Sequence, residues 1–367
     1  MGMGFEWDKH AGFFHRSLLN PGLPRQYTTA DTQRTTLAYF CVTGLDLLGK
    51  LDSSCTEADR TAVKRWVLAQ QVAGGDWRQR GFRGGPFGVA AEPSQRIGKK
   101  YDADEGNLAA TYSALATLVA LDVDLTSMHT GVDSDAIVRA LGSLQQEDGS
   151  FKASASDSTC DIRFTYCACA VSTILGNWSG VDRRKAAEYV ERCYDFDGGI
   201  GMAPGREACA GPTYCAVASL KLLGVLEKLP IPRRQGLLEW CVNRQGTGFQ
   251  GRPNKTEDSC CSFWVGATLA LLDGLDLVDE AQARQFHVSC QNRTCGGFAK
   301  APGVSPDLLH SFYSISWLSL AGETGVREMD AALGVTKRAA GRIRRNAAGG
   351  SSAKAMRSRE NSNTPAH

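Results

Sequence analysis

The segment NRQGTGFQG at residues 243–251 is one of four Gly-rich turns that recur along the chain. Aligned on one glycine of each turn, the copies are 50, 49 and 49 residues apart. A repeat of this length predicts stacked copies of one supersecondary unit. The four turns read LQQEDGSF (144–151), RCYDFDGGI (192–200), NRQGTGFQG (243–251) and CQNRTCGGF (290–298), and the aligned glycines are Gly149, Gly199, Gly248 and Gly297.

Each turn precedes an apolar segment rich in small residues, and a second amphipathic segment leads to the next turn. PTYCAVASLKLLG and PRRQGLLEWCVNRQ, which lie between the second and third turns, are one such pair. Apolar residues at helical spacing in both segments predict two helices per repeat. Weaker copies near 62–84 and 107–122 extend the pattern to six helix pairs. We therefore expect an all-α fold, either an open solenoid or a closed ring whose Gly-rich turns meet at one mouth of an apolar funnel.

The repeats place the folded domain at residues 26–335. Residues 1–25 lack the repeat pattern, and we expect an irregular lead-in there. Residues 336–367 are rich in Ser, Ala, Gly, Asn and Arg and have no apolar periodicity. That composition predicts a disordered basic tail.

Composition excludes several classes of function. A formal net charge of +2 over 367 residues argues against nucleic acid as a partner. No apolar run reaches the roughly 18 residues of a membrane span, and the N-terminus lacks the apolar core of a signal peptide. The 13 cysteines fall largely in apolar helices, which predicts reduced, mostly buried thiols in a cytoplasmic protein.

The stretch GFQGRPNKTEDSCCSFW at 248–264 carries candidate metal ligands. Asp258 and Cys260 are spaced Asp-x-Cys, and PDLLH supplies His310 some 50 residues further on. A carboxylate oxygen, a sulfur and an imidazole nitrogen are all zinc donors, and three protein ligands leave a fourth position open. The neighbouring Cys261 competes for the role of sulfur ligand, although the Asp-x-Cys spacing favours Cys260.

Two cations, Arg252 and Lys255, lie just ahead of these ligands in GRPNK. Alone, such a basic loop would be an ordinary solvated turn. Next to a metal motif it predicts a phosphate site. The combination suits an enzyme that activates a thiol and expels a phosphate.

The repeat turn with its small-residue helix, together with GRPNK-x-x-D-x-C, GGFAK and PD-x-x-H, resembles the protein prenyltransferase β subunits over residues 10–335. The resemblance implies an α-α toroid of six inner and six outer helices. It also implies a heterodimer with a helical-repeat α subunit and transfer of an isoprenoid to a C-terminal Cys of a client protein. On this reading Asp258, Cys260 and His310 hold one zinc ion, and the client thiol fills the open position.

Within the family, three details resemble the type I geranylgeranyltransferases. Lys300 stands where other subunits carry an Asp associated with magnesium, so Mg²⁺ should not be required. Thr36 stands where farnesyltransferase has a bulky Trp, which leaves room for geranylgeranyl diphosphate. The segment DIRFTYC, with Arg163 and Phe164, looks like the type I peptide pocket. The type I resemblance implies an α subunit shared with farnesyltransferase and Cys-a-a-Leu tails of small GTPases as clients.

The resemblance assigns the remaining site residues by position. The proposed diphosphate clamp is Arg252, Lys255 and Lys300, with Cys209 and Cys261 at the same site. Trp264 and Tyr313 join Thr36 in the lipid pocket, and Asn107 and Ala109 join Arg163 and Phe164 in the peptide pocket.

Three positions depart from the family pattern. Cys209, in EACAG, replaces a diphosphate-binding His, and Cys261 replaces a Tyr that contacts the leaving phosphate. Asn107 replaces a His of the type I peptide pocket. Three alternatives therefore stay open: a farnesyltransferase β subunit, a binding-only toroid without chemistry, and a terpene cyclase. The cyclase would need an acidic D-x-D-D run, and YDADE at 101–105 is only a near miss.

Overall fold

The fold is all-α, as seen in a computed structural model that describes residues 4–20, 25–86, 105–125, 127 and 130–345. Most of YDADE and the tail from residue 346 lie outside the described residues. The α-helices are α1 (Trp7–Leu19), α2 (Arg34–Leu47), α3 (Leu51–Ser54), α4 (Glu57–Leu68), α5 (Leu108–Ala120), α6 (Ser134–Leu144), α7 (Ile162–Ile174), α8 (Arg183–Arg192), α9 (Ala210–Leu223), α10 (Ile231–Val242), α11 (Ser259–Leu271), α12 (Glu280–Cys290), α13 (Leu308–Leu320) and α14 (337–345).

Short β-ladders are confined to turns. Three two-stranded antiparallel ladders occur in the described residues. They pair β1 (Gln71–Val72) with β2 (Gly81–Phe82), β3 (Phe298–Ala299) with β4 (Pro306–Asp307), and β5 (Met329–Asp330) with β6 (Val335–Thr336).

Six inner helices form a closed ring. Each of α2, α5, α7, α9, α11 and α13 packs on the next, and α13 packs back on α2. These helices are buried nearly all round. Their small residues allow close packing, while their aromatic rings point inward and contact one another in an unbroken circle, with centroids 4.1 to 5.6 Å apart. The circle runs through Tyr39, Tyr112, Tyr166, Tyr214, Trp264, Tyr313 and Phe40. The predicted closed ring is confirmed, and the open solenoid is wrong.

The outer layer consists of α1, α4, α6, α8, α10 and α12, which bury one face each against the inner ring. Each Gly-rich turn lies directly under the next outer helix. A Cβ at Gly149 would collide with the Lys185 carbonyl of α8, and one at Gly248 would lie 2.6 Å from the Phe286 ring of α12. The glycines recur because the chain crosses beneath a helix at these points.

The sixth outer helix is α1, so the prediction of an irregular lead-in at residues 1–25 is wrong for this segment. A Cβ at Gly296, in the last Gly-rich turn, would collide with the Lys9 carbonyl of α1. Phe14 of α1 is fully buried, and Gly44 of α2 faces its ring. The sequence pattern did not predict this helix, because no Gly-rich turn precedes it. The Gly-rich turn that packs against α1 is the last one, at 290–298, where the Gly297 backbone N–H donates to His10 of α1 across 287 residues of chain.

A repeated hydrogen bond ties the inner helices together at their N-termini. A backbone N–H in the first turn of one helix donates to a carbonyl in the loop that enters the next inner helix, as Ser259 of α11 does to Lys300 at 2.9 Å. For α13 the Tyr27 hydroxyl takes the place of that carbonyl, at 2.8 Å from the Leu308 nitrogen. The other pairs are Thr35–Gly84, Leu108–Ala153, Ile162–Met202 and Ala210–Gly251. All six N-termini therefore surround one mouth, as predicted from the Gly-rich turns.

The opposite end of the ring is closed by the β5–β6 hairpin. The Tyr112 hydroxyl donates to the Leu333 carbonyl at 2.9 Å, and the Tyr214 hydroxyl donates to the Ala331 carbonyl at 2.9 Å. Tyr39 makes the same contact with Gly334. The tyrosine belt is thus the floor of the funnel.

Helix α14 packs beneath this hairpin, so the prediction of a disordered tail from residue 336 is wrong up to residue 345. Ala339 and Ala340 are fully buried, and Arg338 reaches the carboxylate of Asp46 at 3.0 Å. Asp46 is itself fully buried and also pairs with Arg327 at 2.8 Å. Alanines form the buried face of α14, and because they are small the apolar periodicity is too weak to predict a helix.

All 13 cysteines are free thiols, and nine of them are buried. The burial matches the expectation that most of the cysteines lie in the core. Among the described residues, no helix is both long and apolar enough to cross a membrane.

Candidate active site at the mouth of the ring

Two of the predicted metal ligands come from the first turn of α11. Asp258 is the N-cap, and its Oδ1 accepts the backbone N–H of Cys260 at 2.9 Å. The cap is a short polar residue because the first N–H groups of a helix have no partner within the helix. Since the cap fixes the carboxylate beside the first turn, Asp258 and Cys260 face the same space.

The third predicted ligand, His310, arrives from the first turns of α13, the ring neighbour of α11. Its Nε2 lies 3.3 Å from Asp258 Oδ1, and Asp258 in turn caps the turn that carries Cys260. The structure therefore brings Asp258, Cys260 and His310 together. Cys261 also lies close by, because ligand atoms of Asp258, Cys260 and Cys261 all lie within 4.8 Å of one another, in a group that does not include His310.

Asp307 positions His310. It is the N-cap of α13, where Oδ1 accepts the His310 backbone N–H at 2.9 Å. Its other oxygen, Oδ2, lies 2.6 Å from His310 Nδ1. This pairing fixes the ring so that Nε2 faces Asp258, the arrangement in which metal-binding histidines are usually held by a carboxylate.

The electrostatics of the site call for a cation. Burial lowers the pKa of His310, but hydrogen bonds to Asp258 and Asp307 outweigh burial and raise the pKa to about 11. Burial raises the pKa of Asp258, but hydrogen bonds with His310 and Cys260 outweigh it and lower the pKa to about 2. The imidazole ring of His310 lies between two carboxylates, Asp307 at Nδ1 and Asp258 at Nε2, so positive charge is stabilised at this position.

One pair of candidate ligand atoms is spaced as zinc requires. Two ligand atoms about 2.0–2.3 Å from a tetrahedral zinc ion are about 3.3–3.8 Å apart. The 3.3 Å between His310 Nε2 and Asp258 Oδ1 falls in that range. The set of oxygen, sulfur and nitrogen donors is also one that zinc accepts.

The predicted phosphate-binding cations lie around these ligands. Lys300 Nζ is 3.5 Å from Asp258 Oδ2 and is more than half exposed. Arg252 forms an ion pair with Glu207, which sequence reasoning did not single out. Lys255 is exposed on the same loop as Arg252. Half-exposed and exposed cations at the rim remain accessible to a ligand.

Helix ends add to the positive field of the mouth. Each of the six inner helices directs its N-terminus there, and each helix N-terminus carries a partial positive charge of roughly half an electron charge. Backbone N–H groups at such ends are ready-made sites for phosphate. The mouth thus combines six helix N-termini and the cations Arg252, Lys255 and Lys300 with the carboxylates of three N-cap aspartates. The residues at the N-caps are Gln33, Asn107, Asp161, Cys209, Asp258 and Asp307.

The sequence matches the model of the prenyltransferase alpha-alpha toroid domain over residues 5–335. The chain belongs to the prenyltransferase alpha-alpha toroid family. This confirms the resemblance seen in the sequence, and with it the fold class and the class of enzyme, a transferase of prenyl groups.

Two curated relatives and one solved structure narrow the comparison. The chain is 37% identical to the geranylgeranyl transferase type-1 subunit beta of Arabidopsis thaliana, over 90% of this chain and 89% of that protein. It is 36% identical to the Dictyostelium discoideum protein of the same name, over 93% and 98%. Candida albicans protein geranylgeranyltransferase-I complexed with GGPP superposes with a TM-score of 0.81 at 25% identity, covering 94% of this chain and all of that one.

A type II terpene cyclase from Scytonema shares the fold, with a TM-score of 0.53 at 12% identity. Identity this low shows a common architecture and nothing about chemistry.

Two of the departures from the prenyltransferase pattern lie side by side. A Cβ on Gly251 would lie 3.2 Å from Cys261 Sγ and 4.0 Å from Cys209 Sγ. Cys209 is the N-cap of α9, and its side chain makes no capping hydrogen bond. Burial raises the pKa of this thiol.

The predicted lipid-pocket residues face the ring interior. Thr36 lies in the first turn of α2, with Oγ1 3.2 Å from Ser113 Oγ of α5. The rings of Trp264 and Tyr313 contact each other with centroids 4.1 Å apart and planes tilted by 52°. Thr36 lies only one helical turn above Tyr39 of the funnel floor, so bulk at position 36 would fill space near the bottom of the pocket.

The predicted peptide-pocket residues lie at the N-termini of α5 and α7. The Asn107 side chain accepts the backbone N–H groups of Ala109 and Ala110 at 3.0 and 3.2 Å, so it caps α5. Arg163 makes two hydrogen bonds to Asp161, at 3.0 and 2.7 Å. Phe164 is half-buried, with the Arg163 guanidinium over its ring.

Two functional candidates were missed at the sequence level, Asp307 and Glu207. Asp307 could have been found, because an acid three residues ahead of His310 at a helix start is an N-cap signal. Glu207 gives no local signal, since its partner Arg252 lies 45 residues away.

Proposed function

We propose that this chain is the β subunit of a protein geranylgeranyltransferase type I. It would transfer the geranylgeranyl group of geranylgeranyl diphosphate to the Cys of a C-terminal Cys-a-a-X tail, with X mostly Leu. The observation that carries the proposal is the double contact of Asp258. One carboxylate oxygen faces the imidazole of His310 at 3.3 Å, and the other faces the ammonium of Lys300 at 3.5 Å. A metal site for a thiol and a cation for a diphosphate thus share one side chain.

Asp258, Cys260 and His310 would hold one zinc ion, which supplies a client thiolate at neutral pH. Asp307 keeps the Nδ1 proton of His310 in place, so that Nε2 stays free as a ligand. These roles need no movement of the described side chains.

Lys300, Arg252 and Lys255 would stabilise the charge that develops on the leaving diphosphate. Pre-placed cations contribute because the charge on the leaving group grows in the transition state, and loss of one such contact commonly costs about 100-fold or more in rate. Since Lys300 already brings a positive charge to the site, we expect transfer without Mg²⁺. Arg252 has to leave Glu207, at least in part, to reach the diphosphate.

The apolar funnel would receive the lipid. Its aromatic walls exclude water from the reacting carbon, and the tyrosine belt at the floor limits its depth. The small side chain of Thr36 leaves room for a chain of twenty carbons.

The partners follow from the same proposal. An α subunit shared with farnesyltransferase would complete a cytoplasmic heterodimer, and Cys-a-a-Leu tails of small GTPases would be the clients. The free thiols of the chain suit a reducing compartment.

The test is an assay of the purified heterodimer with a matched pair of peptides ending in Leu and in Ser. We expect one zinc per β subunit, preference for geranylgeranyl over farnesyl diphosphate, and no dependence on Mg²⁺. Lys300→Ala should lower the single-turnover rate about 100-fold without loss of zinc. Farnesyl preference with a strict need for Mg²⁺ would indicate a farnesyltransferase instead.

A binding-only toroid is the second candidate, favoured by Cys209 and Cys261 at two positions where the family pattern has phosphate contacts. It predicts tight binding of prenylated peptide with no turnover. Full zinc occupancy together with product formation excludes it.

A further inference from the structure

Cys261 belongs to the metal-ligand cluster, although the Asp-x-Cys motif does not include it. Its Sγ lies within 4.8 Å of both the Cys260 sulfur and a carboxylate oxygen of Asp258. Side chains at consecutive helix positions ordinarily point to different faces of a helix. Here they converge on the cap carboxylate, because both lie in the first turn of α11.

The environment of Cys261 favours a metal over solvent or a disulfide. The residue is 9% exposed, so it is not a surface thiol. On its other side it meets Gly251, beyond which lies Cys209. Cys209 and His310 both lie outside the group formed by Asp258, Cys260 and Cys261, but His310 Nε2 lies 3.3 Å from the Asp258 carboxylate. The sulfur of Cys261 therefore shares its space most closely with the proposed zinc ligands.

We propose that Cys261 is a fourth zinc ligand of the resting enzyme, which the client thiol has to displace. This rests on the proposed function. The ligand atoms of Asp258, Cys260 and Cys261 lie within 4.8 Å of one another, and His310 Nε2 lies 3.3 Å from Asp258 Oδ1. On metal binding, His310 and Cys261 would move closer together, so that one oxygen, two sulfurs and one nitrogen form a tetrahedral set.

The exchange of thiols is balanced without any oxidant. The client thiol gives up its proton on binding, and the displaced Cys261 thiolate takes one up. The cost of displacing Cys261 would appear as a weaker apparent affinity for the client peptide. The device would also protect the site, since a four-coordinate zinc ion has no open position for other small thiols.

Cobalt substitution tests the proposal with a readout independent of turnover. Co²⁺ replaces zinc in the heterodimer, and the near-ultraviolet sulfur-to-cobalt absorption counts bound thiolates. We expect Cys261→Ser to lower this absorption by about half in the absence of peptide, because one of two thiolates is lost. Cys209→Ser is the matched control, because Cys209 is the other thiol beside Gly251, and it should leave the band unchanged.

A titration with a Cys-a-a-Leu peptide decides the case even if the Cys261 variant folds poorly. The wild-type band should keep its intensity, because one thiolate replaces another, while the band of Cys261→Ser should rise about twofold. A twofold rise in the wild type overturns the proposal and leaves the proposed function intact. Failure of the wild-type heterodimer to bind cobalt or zinc at all refutes the proposed function itself.

Discussion

Replacing Asp307 with Asn should separate zinc affinity from fold stability. Asp307 has two contacts: Oδ1 accepts the His310 backbone N–H, and Oδ2 accepts the proton of His310 Nδ1. Asn keeps one oxygen for the helix cap but presents an N–H₂ group to the imidazole. His310 Nδ1 then has to accept, which moves the ring proton to Nε2, the atom that faces Asp258. A protonated Nε2 cannot bind a metal.

The expected loss of zinc affinity is about 10- to 100-fold, or about 1.4–2.7 kcal/mol, as is typical when a partner of a metal-bound His is lost. The free energy of unfolding of the metal-free protein should hardly change, because Asn and Asp are equally good caps. Asp307→Ala loses both contacts and should cost about 1 kcal/mol of stability in addition.

Zinc affinity is measured by competition with a chelator, and stability by urea unfolding of the metal-free heterodimer. The capping control is Asp182→Ala, which removes the N-cap of α8 far from the metal, where Asp182 accepts the Lys185 backbone N–H at 3.0 Å. Asp182→Ala should lower the free energy of unfolding and leave the zinc affinity unchanged. If Asp307→Asn keeps wild-type zinc affinity, the orienting role assigned to Asp307 is wrong.

Three further predictions concern the funnel and the core. Thr36→Trp should move the ratio of kcat/KM from geranylgeranyl toward farnesyl diphosphate, and an unchanged ratio would remove Thr36 from the lipid pocket. Gly334→Ala should lower the free energy of unfolding by about 2–4 kcal/mol, because its φ is +66° and the new Cβ would lie 2.6 Å from the Tyr112 hydroxyl. Gly322 also has a positive φ, +70°, but a Cβ there would meet no atom within 4 Å. Gly322→Ala should therefore lower the free energy of unfolding only through backbone strain. If urea unfolding shows equal losses for the two variants, no steric clash occurs at Gly334. Burial lowers the pKa of His287 to about 3. Because the unfolded chain takes up that proton near pH 6.5 and the folded chain does not, stability should fall by about 2 kcal/mol between pH 7 and 5. The urea midpoint of His287→Phe should depend less on pH than the midpoint of the wild type. Equal pH dependence of the two proteins would contradict this account.

The fold was largely predictable because the repeat is a local signal. The spacing of Gly149, Gly199, Gly248 and Gly297 and the two apolar segments per repeat are readable without knowing any long-range contact. Helix α1 could not be predicted in this way, because it completes a repeat whose Gly-rich turn lies at the far end of the chain. Helix α14 was missed for a similar reason, since its arginines have buried carboxylate partners that only the folded ring supplies.

The chain by itself determined which donors are available and which helices carry them: the Asp-x-Cys spacing at 258–260, the basic loop before it and the His310 motif. Only the tertiary structure decided that these donors meet, because closure of the ring makes α11 and α13 neighbours although 52 residues separate Asp258 from His310. It also decided that Asp307 orients the imidazole and that Cys261 turns toward the same carboxylate. Residue spacing fixes the direction of side chains within one helix, whereas distances between helices depend on packing that no local pattern records.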